Sequence, residues 1–338
     1  MKEYQSLKLI ATSSPHIRAP QTTKTLMRHV VVALLPALAF ACVNFGLRAL
    51  CVSAVSVAGC VFFEWAYRTL MKKPGSIGDF SAVVTGLLLA FVCPVQIPYW
   101  MILIGDFFAI VIVKQLFGGI GCNFVNPALA GRAALLASYA GVMTTWAEPF
   151  SDTVPVIGSL ADVATTATPL AMLKGGAFAE LSSQYTVLDM FVGGIPGSLG
   201  EVSALCLLLG GLYLLCMDVI SWHIPVSYIG TVAVLTYLFP RGAENLPWML
   251  YNVLGGGLIL GAFFMATDYA TSPVTKKGQV IFGIGCGLFT VLIRYFGAYN
   301  EGVCYSILVM NLFVALIDKY AKPKRFGAAE AGKEAAAK

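Results

Sequence analysis

Residues 28–73 read RHVVVALLPALAFACVNFGLRALCVSAVSVAGCVFFEWAYRTLMKK. Two apolar runs, 29–48 and 50–70, stand back to back in this stretch. Lys24 and Arg28 flank them on one side, and Arg68, Lys72 and Lys73 on the other. A helix needs ~20 mostly apolar residues to cross ~30 Å of hydrocarbon at ~1.5 Å per residue. Each run meets that length. The pair therefore reads as a helical hairpin in a bilayer, with both outer ends on the side where Lys and Arg collect.

The same pattern continues outward. Further apolar runs fall near 80–95, 97–117, 123–141, 201–220, 224–240, 247–267, 279–297 and 302–320. The runs at 80–95 and 123–141 are short or interrupted by Gly and Pro. The composition agrees: 58% of residues are hydrophobic and 12% charged, and the mean hydropathy is +0.80. Soluble domains run about half apolar and about a quarter charged. The expected fold class is an all-α integral membrane protein of about ten transmembrane helices.

Ten crossings put Arg18, Lys24, Arg28, Arg68, Lys72, Lys73, Lys114, Lys276, Lys277, Lys319, Lys322, Lys324 and Arg325 on one side. The opposite side holds segments poor in Lys and Arg: Pro94–Pro98, 140–200, Arg241–Pro247 and Ala298–Glu301. Nine or eleven crossings would scramble this division. The positive-inside rule then places both termini in the cytoplasm and the 140–200 segment outside. Five helices on each side of that segment enter the membrane from opposite faces, as two inverted five-helix repeats require. IGDFFAIVIVKQLFGGIG (104–121) echoes LVMNLFVALIDKYAKPKRFG (308–327). The expected organisation is a cytoplasmic segment 1–28, a first repeat 29–141, an outward-facing segment 142–200, a second repeat 201–320 and a tail 321–338. The tail ends in AAEAGKEAAAK, a solvated stretch with the composition of an added sequence.

Composition also excludes classes. The net charge of +5 sits in clusters at the edges of apolar runs, which suits membrane orientation and contact with lipid rather than nucleic-acid binding. The first ~25 residues are polar and the first apolar run is long, so no cleavable signal peptide is expected. The nine cysteines form no C-x-x-C and no Cys/His cluster, and most lie inside apolar runs as small hydrophobes. No disulfide framework, metal site or iron–sulfur site is read within this chain alone. No Rossmann fingerprint or ferredoxin-type cysteine pattern occurs, so the chain by itself cannot oxidise NADH or ferredoxin.

Three stretches carry candidate chemistry. SLADVATTATPLAML (159–173) is rich in small and hydroxyl residues, with Asp162, Thr165, Thr166, Ala167 and Thr168 before Pro169. The proline holds Thr168 extended, and its hydroxyl is an unhindered nucleophile if something activates it. Most such loops do no more than turn the chain. KQLFGGIGCNFVNPALAGRAALL (114–136) has Gly118, Gly119 and Gly121 for sharp turns, Asn123 and Asn126 as amide donors and acceptors, and Arg132 as a charge within an apolar run. Arg132 faces protein, a phosphate or a cavity rather than lipid. The alternative is a Gly-rich re-entrant turn that only positions helices. FFMATDYATSPVTKKGQ (263–279) brings Asp268, Thr271 and Ser272 to the edge of the eighth run, either as an ordinary helix end or as a contact surface for a cofactor or partner.

D-x-x-[ST]-x-A-T, here Asp162 to Thr168, resembles the acceptor motif for covalent flavin attachment. It is found in the family that holds the B subunit of the sodium-pumping NADH:quinone oxidoreductase and the D subunit of the Rnf complex. The 114–136 stretch resembles that family's GG-x-G-x-N-x-x-NPA signature, and 263–279 resembles its conserved segment at the end of the eighth helix. The order of the three motifs and the ten-helix plan are also the family's, so the resemblance covers almost the whole chain. Only about 28 residues precede the first apolar run, which favours the Rnf side of the family.

The resemblance implies that a flavin transferase moves FMN onto the Thr168 hydroxyl as a phosphoester, with Asp162 used in recognition. Many relatives have Gly or Ser where Thr166 stands. It implies a second, non-covalent flavin, usually riboflavin, in some members. It implies other membrane and peripheral subunits as partners, a bacterial or archaeal inner membrane, and electron flow between ferredoxin and NAD coupled to sodium or proton transport. A secondary transporter or channel for a small solute, without flavin, is the alternative, since a five-plus-five plan suits it equally. A passive membrane anchor is a third. Two further acids stand inside apolar runs, Glu64 and Asp106, and are expected to face the bundle interior. For Asp106 an ion-pathway role stands beside that of a locally paired structural acid.

Overall fold

The computed structural model describes residues 21–150, 154–156, 163–242 and 244–322. Each of the ten apolar runs falls on helix. The first half holds α1 (Thr23–Phe45), α2 (Leu47–Leu70), α3 (Ser81–Phe91), α4 (Tyr99–Phe107) with its π-helical continuation Phe108–Gln115, and α5 (Pro127–Ser138). The connecting segment carries short helices α6 (Ala140–Met143), α7 (Pro169–Lys174), α8 (Phe178–Gln184) and α9 (Val187–Val192). The second half holds α10 (Ala204–Cys216), α11 (His223–Leu238), α12 (Asn245–Leu254), α13 (Leu258–Leu260) with its π continuation Gly261–Met265, α14 (Lys276–Phe296) and α15 (Val303–Tyr320). By length and composition α1, α2, α14 and α15 can each cross a membrane alone. The pair Asn245–Leu254 and Leu258–Met265, bent by 60°, adds a fifth span if counted as one.

The amount of apolar surface each helix hides sorts the layers. In α3 ten of eleven residues are buried, so this short helix is apolar all round because protein surrounds it. Long helices instead show apolar side chains outward: Ile281, Ile284, Leu288 and Leu292 line one exposed face of α14, and Phe62 and Trp65 project from α2. Such faces would be a liability in water and are the lipid-facing surface of a multi-pass membrane protein.

Contacts gather the segment ends into two groups. At one end Lys24 and Arg28 lie over the Phe80 ring at 5.8 and 5.3 Å, and His29 Nδ1 meets Tyr213 OH at 2.7 Å. At that end also, Ser221 bonds Gln279 at 2.7 Å, and Val274 N donates to Asp318 at 3.2 Å. At the other end Gly200 N donates to Phe91 O, Leu199 N to Cys93 O, and Arg241 to Tyr295 O. Within the halves α2 lies on α3 and α4, and α11 on α12 and α14; between the halves α1 meets α10 and α5 meets α15. Taken in chain order, the fourth long segment of the first half is α4 and that of the second is α14. The 104–121/308–327 echo instead pairs α4 with α15, so that echo does not mark equivalent helices.

One residue, Gly46, joins α1 to α2. Its φ of 71° and ψ of −162° suit glycine, so the hairpin turns without a loop. Buried Arg48, just inside α2, donates to Val95 O (2.9 Å), Ile97 O (3.1 Å), Pro155 O (2.8 Å) and Val156 O (3.2 Å). It satisfies the irregular chain after α3 and clamps the connecting segment on top. Lys114, expected at a solvated boundary, is 3% exposed and bonds Glu64 at 2.8 Å and Ser81 Oγ at 2.6 Å. It therefore leaves the set of orienting cations; Lys24, Arg28, Lys72, Lys73, Lys276, Lys277 and Lys319 remain outside the buried core.

Each buried carbonyl left unbonded costs about 1–3 kcal/mol. Arg48→Ala should therefore lower stability by about 3 kcal/mol, read as an earlier thermal transition in detergent by circular dichroism. Arg28→Ala, on the exposed start of α1, should leave the transition unmoved.

Candidate functional site

The candidate residues divide between two cavities, joined by α5. Asn126 starts this helix. Its Oδ1 accepts from Ala128 N (3.0 Å) and Leu129 N (3.3 Å), and Pro127 follows at the first helical position. Its Nδ2 donates to Met265 O (3.1 Å), which ties the first half to the second. Gly118, Gly119 and Gly121 all have positive φ (122°, 98° and 83°), so the turn into α5 uses conformations that glycine alone adopts readily.

Asn123 and Asn126 line a cavity of about 350 Å³ with Lys114, Asp268, Thr267 and Tyr269, over a largely apolar wall from α1, α3 and α10. Asn123 Nδ2 donates to Val125 O at 3.1 Å. Thr271 Oγ1 donates to Asp268 Oδ2 at 3.2 Å. Asn311, with its amide oriented to satisfy both ends, donates to Thr271 O (3.0 Å) and accepts from Asn126 N (3.1 Å). Asp268 thus lines the cavity, whereas Thr271 braces the α5–α15 contact. Neither Thr271 nor Ser272 lines the cavity wall.

The second cavity, about 240 Å³, is lined by Arg132, Trp146, Thr166, Ala167, Thr168, Tyr299, Glu301 and Tyr305, among others. Thr168 is extended at φ −69° and ψ 152°, as the following proline requires. It is the N-cap of α7, and its Oγ1 accepts from Ala171 N at 3.3 Å. It is 7% exposed rather than unhindered, and it also lines a crevice with Glu201 and Gly256. Thr165 pairs with Ala147 in an isolated antiparallel bridge, which sets the Thr-Ala-Thr run along the cavity. Thr165 is exposed and lies outside the cavity lining. Asp162 lies outside the described residues. Lys174, at the end of α7, donates to Gly297 O (2.5 Å) and Tyr299 O (3.1 Å), and burial lowers its pKa.

Arg132 faces protein. It is 5% exposed, bonds the Glu301 carboxylate and sits 3.9 Å from Glu201. Arg294 lies beside them and donates to Asn252 O (2.5 Å), Gly255 O (3.1 Å) and Glu301 O (2.9 Å). Two arginines thus balance two carboxylates. Arg132 braces the wall of the Thr168 cavity, and Glu301 already takes its charge. No motif marks Glu201 or Glu301; the signal that finds them is the need of Arg132, a cation inside an apolar run, for a buried partner.

A phosphoester-linked flavin fits these residues. Trp146, Tyr299 and Tyr305 supply aromatic wall, with Tyr299 and Tyr305 stacked at 5.1 Å. Arg132 Nε makes no hydrogen bond among the described residues. At about 240 Å³ the cavity is smaller than the ~300 Å³ at which small-molecule pockets begin, so a flavin ring there would be only partly enclosed. Among the described residues no cluster of His, Cys, Asp or Glu is able to hold a metal ion.

Comparison with known proteins bears on the whole chain. The model of the NQR2, RnfD, RnfE family matches residues 10–327. The chain is 50% identical over 334 residues to the D subunit of the Na(+)-translocating ferredoxin:NAD(+) oxidoreductase complex of Acetobacterium woodii, covering 98% of this chain and 99% of that one. It is 44% identical over 338 residues to the D subunit of the proton-translocating ferredoxin:NAD(+) oxidoreductase complex of Clostridium ljungdahlii, covering 97% and 99%. It is 36% identical over 348 residues to the D subunit of the ion-translocating oxidoreductase complex of Actinobacillus succinogenes, covering 94% and 97%. With full-length likeness of this degree and a family match spanning every described residue, the chain belongs to the NQR2, RnfD, RnfE family.

Proposed function

We propose that this chain is the flavin-carrying membrane subunit of an Rnf-type complex, passing electrons between ferredoxin and NAD with coupled transport of sodium or protons. The observation that carries the reading is the position of Thr168. The last residue of the Thr-Ala-Thr run forms the wall of an aromatic cavity, with its hydroxyl oxygen accepting from Ala171 N and its own hydrogen free to be replaced. Covalently bound FMN would supply the electron chemistry there. The chain's own part is to hold the ring: Trp146, Tyr299 and Tyr305 flank it, Arg132 and Glu301 fix the wall, and α7 and Lys174 anchor the attachment segment.

The cavity around Asn123, Asn126 and Asp268 is where a second, non-covalent flavin such as riboflavin fits in this reading. It is larger, mostly apolar and carries a few amide and carboxylate groups, the mixture that orients a flat heteroaromatic ring. The two cavities lie against the two ends of α5. Asn126 and Arg132 are six residues apart, or ~9 Å along the axis.

In the same reading the ten helical segments cross an inner membrane as two inverted five-helix repeats. The matching contacts of α1–α5 and α10–α15 and the two groups of segment ends support it. Both termini are cytoplasmic and Thr168 lies on the outer side, because most exposed cations flank the end opposite Thr168, Lys174 and Arg241 being the two at its own end. A flavin transferase for maturation, further complex subunits and lipid are the partners.

Two measurements test the cofactors. The chain is produced with its flavin transferase, and its band in a denaturing gel is read for ultraviolet fluorescence and intact mass. Wild type should fluoresce and carry an FMN-sized increment, and Thr168→Ala should lose both. A dark wild-type band of unmodified mass, with the transferase active on another target, favours a transporter without flavin. For the second site, denaturing the purified chain should release free flavin into the supernatant, and Asn123→Ala should reduce that yield severalfold. A supernatant without flavin removes the second cofactor.

A further inference from the structure

Asp106 lies midway along the continuous helix from Tyr99 to Gln115, one residue before α4 gives way to π winding. It is fully buried and lines neither of the two cavities described above. Its Oδ1 meets Ser56 Oγ at 2.7 Å and Cys60 Sγ at 3.2 Å, while its Oδ2 makes no hydrogen bond among the described residues. Oδ2 faces Gly59, where a Cβ would stand 2.7 Å away, so that side has room for no side chain on α2.

The groups around it are few. On α2, Ser56, Cys60 and Glu64 stand four residues apart on one buried face. From α3 come Ser81 and Thr85, and from the π segment Lys114. Lys114 is bonded to Glu64 and Ser81. From α5, Leu135 and Gly131 close on Gly105, and Arg132 is taken by Glu301. No cation stands within salt-bridge reach of Asp106 among the described residues.

Ser56 makes two close contacts, to Asp106 Oδ1 at 2.7 Å and to Gly86 O at 2.9 Å, but a hydroxyl has one hydrogen. If that hydrogen goes to Asp106, Oδ1 accepts it, an ionised carboxylate is satisfied there, and Gly86 O loses the Ser56 bond. If it goes to Gly86 O, Asp106 itself must supply the hydrogen in the Ser56–Asp106 contact, and the acid is neutral. Both protonation states are bonded without any heavy atom moving. A sodium ion needs several oxygens around it, and besides the carboxylate this contact offers only Ser56 Oγ and Gly86 O.

We propose that Asp106 is a proton-binding site inside the membrane, switched by the Ser56 hydroxyl. On uptake an O–H bond forms on Asp106 as one breaks in a hydronium ion, leaving water. Ser56 turns its hydrogen from Asp106 to Gly86 O, and release reverses both steps. The Glu64–Lys114–Ser81 cluster stands one turn of α2 away, and its Lys114 and Ser81 line the Asn123 cavity, the nearest opening to the site. The site's role in coupling rests on the electron-carrying reading above, and its protonation does not.

The test uses the assembled complex in lipid vesicles, with Asp106→Asn, Asp106→Glu and Ser56→Ala. Infrared spectra read the carbonyl stretch of a protonated carboxylic acid against pH and against reduction. A pH-sensitive dye reads proton movement per electron, radioactive sodium reads the other ion, and gel fluorescence reads flavin on Thr168. Wild type should show a carboxylic band that responds to pH or reduction, absent in Asp106→Asn and altered in Ser56→Ala. Asp106→Asn should cut proton movement roughly tenfold or more, with flavin content unchanged and partial recovery in Asp106→Glu. A band that never responds, or Asp106→Asn moving protons like wild type, makes Asp106 a structural acid and overturns the proposal. If Asp106→Asn does not assemble, an unaltered band in Ser56→Ala overturns it equally. A dark band at Thr168 sinks the flavin reading while the infrared titration still decides this one.

Discussion

Backbone groups inside hydrocarbon must find partners within the protein, and this fold breaks its helices at depth. Two buried arginines meet that requirement. Arg48 gathers the carbonyls of Val95 and Ile97 where α3 ends, together with Pro155 and Val156 of the connecting segment. Arg294 gathers those of Asn252, Gly255 and Gly256 where the bent pair α12–α13 opens. A guanidinium suits this work because its five N–H groups fan out in a plane and stay charged at any relevant pH. With the breaks held, short helices such as α3 can sit wholly inside the bundle, and the space beside them becomes the two cavities.

Much of this was legible from residue order. Apolar runs of sufficient length fix where helices lie, and the ten runs all fall on helical segments. Pro169 after Thr168 fixes the extended backbone at that threonine, and the Gly118–Gly121 cluster marks a turn of positive φ. What sequence could not give is pairing across distance. Lys114 looks like a boundary cation until Glu64 and Ser81, from α2 and α3, close around it. Arg132 looks available to a phosphate until Glu301, 169 residues on, takes its charge. Glu201 and Glu301 carry no motif, because their importance comes only from meeting that arginine.

The candidate site divides in a way that short motifs cannot express. Asn123 and Arg132 belong to one signature in the chain, yet they serve different cavities because a helix separates them. Asp268 joins the first of these cavities from the other half of the molecule. The Thr165–Thr168 run reads as a unit, but Thr165 is spent on a bridge to Ala147, and only Thr166, Ala167 and Thr168 form the wall. The π winding after Asp106 has a packing reason. Buried positions there recur every four residues (Met101, Gly105, Ala109, Val113 and Ile102, Asp106, Ile110, Lys114), and the wider turn keeps such positions on one face.

The single-residue link at Gly46 has a mechanical consequence. α1 packs on α10 in the second half, while α2 packs on α3 and α4 in the first. Sliding α1 past α2 by one helical turn would need ~5.4 Å of slack, more than one residue can stretch to give, since neighbouring Cα atoms are held ~3.8 Å apart. Sliding of α1 along α2 is therefore blocked. Pivoting about Gly46 is the motion left, like a pair of tongs joined at one end, and it would open the seam at the end away from Thr168.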